Sequence, residues 1–472
     1  MRRLISVVKF RGCTFLALSA TLIVLLFAML PALAIGADNG SHGAIVAAED
    51  GYVVAGKVDF SVGSVLYLLK VDSAGNEVWN KTYGEYSRFE EIRSLAAADD
   101  GYLIASTLPT ANGSCIYLLK TDLNGTEVWA RAYGEPNSTY AVNSVIAVPD
   151  GFVLTGNAGP FPWHGEHADP WGTVRHTFLL KVDRFGDVSW YQVYDGPDND
   201  VGNSVMAVSD GYVIAGHYYF WEGWAAHVIK TDMNGREVWN LTYSPRSASI
   251  MCSIAPASDG YLASGYYWRG HPGISGPGSS GGYLLEVAPD GQIRQEYFYH
   301  ITDGFDREYF MGPAGDGFLM AGIADVYGDR CVYLFKSDLQ GLESWYNTYP
   351  GIKDDLSGMV VADDGYVLVG PVNLKGYWHG YDRMGATGMH LLKTDLTGNI
   401  VWDQTYEGII AREKIVGPPD TTWTPTGITV SPLPLATPPQ QAGYGSILTI
   451  SAIAAGLALL SWQLYMKRRD RP

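Results

Sequence analysis

The sequence predicts an all-β fold: a seven-bladed β-propeller ectodomain with an N-terminal signal segment and a C-terminal transmembrane helix. Three observations carry this. A unit of about 49 residues recurs seven times, each unit reads as two β-hairpins, and an uncharged apolar stretch stands near either end of the chain.

The first element is residues 1–34. Arg2, Arg3, Lys9 and Arg11 precede an apolar run from Cys13 to Leu30, and Ala32-Leu33-Ala34 supplies the small-x-small pattern of a cleavage site. This is the layout of a secretory signal peptide cut after Ala34.

The second element, residues 35–416, holds the repeat. Asp-Gly recurs at Asp50, Asp100, Asp150, Asp210, Asp259, Asp316 and Asp364. Each is followed by an apolar strand and then by an "LLK"-like strand, whose Lys is Lys70, Lys120, Lys181, Lys230, Lys336 or Lys393, with Glu286 in unit five. Nine residues later stands Trp79, Trp129, Trp190, Trp239, Trp345 or Trp402, with Gln295 the exception. Thirteen residues later Tyr stands in all seven units, from Tyr83 to Tyr406. "SVIAVPDGFVLTG" is two apolar runs around an Asp-Gly turn, and "LLKTDLNGTEVW" is a second hairpin whose Gly provides the positive φ. One four-stranded sheet cannot bury both faces, whereas seven stacked radially form a core and leave only short edges. Trp and Tyr, four apart on the last strand, share a face and are expected to pack between blades.

The unit resembles the repeats of secreted prokaryotic, archaeal-type cell-surface β-propellers over about residues 41–408. Its "KxDxxGxxxW" half, as at Asp72, Gly75 and Trp79, is also similar to the repeat of quinoprotein (PQQ-like) propellers. In that family the motif docks blade on blade, so the resemblance implies packing. Quinoprotein dehydrogenases usually have eight blades and a disulfide between adjacent cysteines; this chain has seven units and no adjacent cysteines.

Spacing locates the variable surface. From the Asp of Asp-Gly to the Lys position the gap is 20 residues in units one, two, four and six, but 31, 27 and 29 in units three, five and seven. All insertion therefore falls between the second and third strands, and these loops leave the propeller on one face, where variable loops on a rigid scaffold carry binding. That face collects aromatic and imidazole side chains. Unit three brings Trp163, His164, His167, Trp171 and His176; unit four His217, Trp221, Trp224 and His227; unit five Trp268 and His271; unit seven Trp378 and His379. Planar aromatics stack on sugar rings and also anchor protein interfaces.

The expected function is thus a binding or adhesion module for a glycan or protein ligand. An extracellular enzyme, metal-dependent or glycan-active, is the alternative, and a structural envelope component the second. His164, His167 and His176 are the candidate metal ligands, but no H-E-x-x-H helix, nucleophile elbow or phosphate loop accompanies them, and no cofactor is expected.

The remaining elements tether the domain. Residues 417–443, rich in Pro and Thr, read as an extended stalk. Residues 444–466 are long and apolar enough to cross a bilayer, and Lys467, Arg468, Arg469 and Arg471 mark 467–472 as a basic cytoplasmic tail. Eight of the 32 basic residues lie in the terminal segments, leaving residues 35–466 with 24 basic against 48 acidic, a charge that disfavours nucleic acid. Sequons at Asn39, Asn80, Asn112, Asn124, Asn137 and Asn240 suit a glycosylated surface. The predicted location is the cell membrane, single-pass, with the ectodomain outside.

Overall fold

The computed structural model describes residues 43–60, 63–87, 92–160, 175–194, 199–220, 223–244, 248–268, 280–299, 307–326, 329–338, 342–349, 356–372, 388–407 and 430–433. They form a seven-bladed β-propeller. Blade 1 consists of Gly43–Ala48, Gly51–Phe60, Gly63–Asp72 and Glu77–Ser87, paired antiparallel in that order. Blades 2 to 7 repeat the plan, opening at Ile92, Ser138, Asn199, Ala248, Arg307 and Gly358. The first strands of successive blades lie side by side, and that of blade 7 lies against that of blade 1, so the ring is closed.

Strand alternation explains how the core is shared. Val53 and Ala55 face blade 2, while Tyr52 and Val54, one residue out of phase, face blade 7. Each of the seven seams owns a hydrophobic cluster of this kind. Apolar burial at about 25 cal/mol per Å² is therefore spread evenly around the ring.

The repeated Trp and Tyr lock the seams. Trp79 of blade 1 lies over Gly125 in the last turn of blade 2, where φ is +75° and a Cβ would sit 2.9 Å from the indole. Tyr83 donates its hydroxyl proton to the carbonyl of that same glycine at 2.5 Å. Tyr133 to Gly186, Tyr194 to Gly235 and Tyr349 to Gly398 repeat the bond at 2.6, 2.7 and 2.7 Å. The closing seam uses the same joint: Tyr406 donates to the Gly75 carbonyl, and Trp402 Nε1 donates to Ser73 O at 3.0 Å. Among the described residues no strand is exchanged between the first and last blades.

A second repeated contact ties each blade internally. The third-strand lysine reaches the Asp-Gly turn, as in Lys120–Asp100 at 2.8 Å and Lys230–Asp210 at 2.9 Å. One residue past the lysine every blade carries a bulge, and its extra residue points outward. This is why Val78, Val128, Val238 and Val401 are exposed. Blade 5 departs from the pattern, because Glu286 and Gln295 replace the lysine and the tryptophan at paired positions. There the bulge residue is Arg294, and its guanidinium takes over the bond to Asp259.

Part of the expected stalk is docked rather than free-standing. Val430–Ser431 adds a fifth strand to blade 2, parallel to Glu127–Tyr133, with Val430 opposite Ala132 and Ser431 opposite Tyr133. Gly134 N–H donates to Ser431 O at 3.1 Å, and Leu433 is buried in the cluster between blades 2 and 3. A composition without apolar period hid this, since one strand pair and one leucine suffice. Pro432 follows the paired residues, where no ladder proton is needed.

Among the described residues no helix is long and apolar enough to cross a membrane. Residues 1–34 and 444–472 lie outside the described residues.

Candidate functional site

The long connections 161–175, 269–279 and 373–387 join second to third strands in blades 3, 5 and 7, and their anchoring ends all lie on one face. Blade 4 forms the wall between the first two. Its second strand, Gly211–Phe220, ends in His217, Tyr218 and Tyr219, and its third, Gly223–Thr231, begins with Trp224 and reaches His227. Antiparallel pairing sets His217 against Ala226 and Gly216 against His227, so the two imidazoles occupy neighbouring rungs.

The imidazoles lie below the rim on opposite faces of the blade 4 sheet, His217 beside Asn203 and Trp224 and His227 beside Asp200 and Tyr218. His217 and His227 are 5% and 9% exposed, whereas Trp224 is half-buried at the rim. Trp224 is braced edge-to-face by His217 and by Tyr219, each with ring centroids 4.9 Å away. Asn203 donates to the Met251 carbonyl at 2.7 Å and lies 3.1 Å from His217 Nδ1, an arrangement in which Nδ1 accepts and Nε2 holds the proton. His227 Nδ1 stands 3.9 Å from Asp200 Oδ1, and Asp200 is fully buried. Burial, with His217 beside it, pushes the His227 pKa down to about 4, so the ring is neutral at physiological pH.

Arg175, where the blade 3 connection returns, is fastened to blade 4. Its N–H donates to Asn199 Oδ1 at 2.6 Å, and its carbonyl accepts from Asp200 N–H at 2.9 Å. His176 follows it at the start of His176–Asp183. Among the described residues no three His, Cys, Asp or Glu side chains converge as a metal site. His390, in blade 7, is buried and bonded to Asp403. Trp163, His164, His167, Trp171, Trp221, His271, Trp378 and His379 lie outside the described residues, and Trp268 is the last residue of its strand.

Sequence reasoning missed a polar belt beneath this face. Ser94, Ser144 and Ser204 stand at one position of successive first strands, just past a bulge. Their hydroxyls accept from the N–H of Val145, Val205 and Ile254 in the next blade at 2.9, 3.3 and 3.3 Å. The bulged Asn143 donates across the seam to Gly202 O at 2.9 Å. The signal was the repeated "NSV" six and seven residues before Asp-Gly.

The opposite face is uniform and acidic. It consists of the Asp-Gly turns and the "DxxG" turns, in which Asp72, Asp122, Asp232 and Asp395 accept backbone protons two and four residues on. The Thr397 hydroxyl, together with the Asn399 N–H, holds the Asp395 carboxyl low, at about 2. Every blade brings at least three carboxylates to these turns and at most two cations.

No family model and no curated protein matches this sequence. Solved structures do match. The β-propeller domain of the Trilobed protease from Pyrococcus furiosus shares 10% identity at a TM-score of 0.39, covering 78% of this chain and 97% of that one. A dihydro-heme d1 dehydrogenase in complex with DHE shares 12% at 0.40, over 80% and 73%. The acylaminoacyl peptidase of Pyrococcus horikoshii shares 13% at 0.43, over 77% of this chain and 52% of that one. These neighbours span different activities at low similarity.

Proposed function

We propose that the protein is a membrane-anchored cell-surface binding module that takes a glycan or protein ligand on the elaborated face. The observation that carries this reading is the asymmetry of the two faces. Two short turns per blade, the Asp-Gly turn and the turn before the last strand, make one face, and the connections 161–175, 269–279 and 373–387 leave the other. A half-buried tryptophan at that rim, fixed edge-to-face by His217 and Tyr219, is a pre-organised apolar contact that loses little side-chain entropy on binding. Buried His217 serves as a support for it, and the ligand contacts fall to Trp224 and the aromatic connections of blades 3, 5 and 7. The signal segment, the span 444–466 and the sequons are read as the tether and coat of such a module.

The test is a glycan and protein screen with the extracellular residues 35–443, which keep the docked strand. Binding that survives Asn124→Ala on the turn face and falls at least tenfold in Trp224→Ala is the expected result. Self-assembly into arrays with no ligand would favour the envelope component. Stoichiometric zinc or copper by elemental analysis, lost in His164→Ala, would favour the enzyme.

A further inference from the structure

The elaborated face and the acidic turn face differ in their relation to the tether. Blade 2's last strand, Glu127–Tyr133, runs from the turn face to the elaborated face, and Val430–Ser431 runs parallel to it. The chain therefore climbs the outside of blade 2 to Leu433, buried beside Tyr133 and Tyr140 at the rim of the elaborated face. Only residues 434–443 separate that point from the apolar span that opens at 444.

Length decides which face can meet a bilayer. Ten residues reach roughly 30–36 Å between polyproline and full extension. A blade is as tall as its ten-residue strand Gly151–Pro160, which at ~3.3 Å per residue is about 33 Å. To place the turn face on the bilayer, the tether would spend its whole reach descending blade 2. Charge acts in the same direction, because the turn face carries an excess of carboxylates in every blade and an anionic lipid surface repels it.

We propose that the elaborated face is turned toward the bilayer that carries the protein and the acidic turn face away from it, so that its ligand is one presented by the same membrane. The proposal rests on the binding reading of that face and on 444–466 being a membrane span.

The experiment uses the full chain in phosphatidylcholine vesicles carrying an acceptor-labelled lipid. Single-cysteine dyes are placed at the two ends of blade 2, Glu135→Cys and Asn124→Cys, and of blade 4, Ser244→Cys and Asn234→Cys. Cys13 is replaced by Ser throughout, and Cys115, Cys252 and Cys331 are buried and stay unlabelled. Energy transfer several-fold stronger from Glu135→Cys and Ser244→Cys is expected. Equal transfer, or stronger transfer from the turn-face pair, overturns the orientation. Protein that fails to float with the vesicles after a carbonate wash overturns the membrane span instead, a separate reading of the same preparation. Leu433→Asp, which undocks the tether, is expected to even out the two faces. An insertion of twenty Gly/Ser residues after 437 keeps the docked strand and should do the same; an unchanged difference in that variant would show that tether length does not set the orientation.

Discussion

At the scale of single residues, two glycines separate backbone geometry from blade docking. Gly125 and Gly315 both adopt positive φ, +75° and +60°, but a Cβ at Gly125 meets Trp79, whereas at Gly315 it meets nothing within 4 Å. Gly315→Ala is expected to cost only the left-handed backbone term, about 1–2 kcal/mol. Gly125→Ala should cost clearly more, because the indole must also move; urea denaturation of the two variants reads the difference. His227 makes a second prediction. Its folded pKa lies below the unfolded value of 6.5, so its contribution to stability is complete above pH 6.5 and is lost as pH falls toward 4. The thermal midpoint should therefore drop over that window, and His227→Gln should flatten the drop.

At the scale of elements, the seams are the unit of stability. If the closing seam is chemically equivalent to the others, Tyr406→Phe and Tyr133→Phe should cost similar amounts, about 1–2 kcal/mol each for a lost bond to a buried carbonyl. A much larger loss for Tyr406→Phe, by the same urea measurement, would mark closure as special. These tyrosines also set an alkaline limit. Burial raises Tyr349 and Tyr406 to about 12, so the stability they provide is intact below pH 10 and is lost as pH rises from there toward 12. Much of this was legible in the sequence: Asp-Gly, Lys, Trp and Tyr at constant offsets give the hairpins, the blade count and the inter-blade role of the aromatics. The Arg294 substitution was not legible, because it depends on which residue occupies a bulge. The Ser94–Ser144–Ser204 belt left only a short polar motif inside otherwise apolar strands.

At the scale of the whole molecule, the gap lengths between repeats located the elaborated face, yet how that face is held relative to the tether emerged only with the docking of Val430–Leu433. Four residues with no periodicity cannot announce a parallel strand on a distant blade. Truncation tests their weight. Residues 35–416 should melt below residues 35–443 by several degrees, since burying Leu433 contributes about 1.5–3 kcal/mol by itself. Coincident melting curves would show the fifth strand to be dispensable.

The tyrosine-to-glycine joint repeated at five of the seams has an evolutionary consequence. The four repeat strands of each blade are one uninterrupted stretch of chain, and they offer the next blade the same tyrosine and, in six of seven cases, the same tryptophan. Copying one such stretch in a gene would insert a complete blade, ready to dock on both sides, without splitting any sheet between distant parts of the chain. Rings of this type can gain or lose sectors by duplication and deletion, and their long connections can then diverge one sector at a time while the scaffold stays the same.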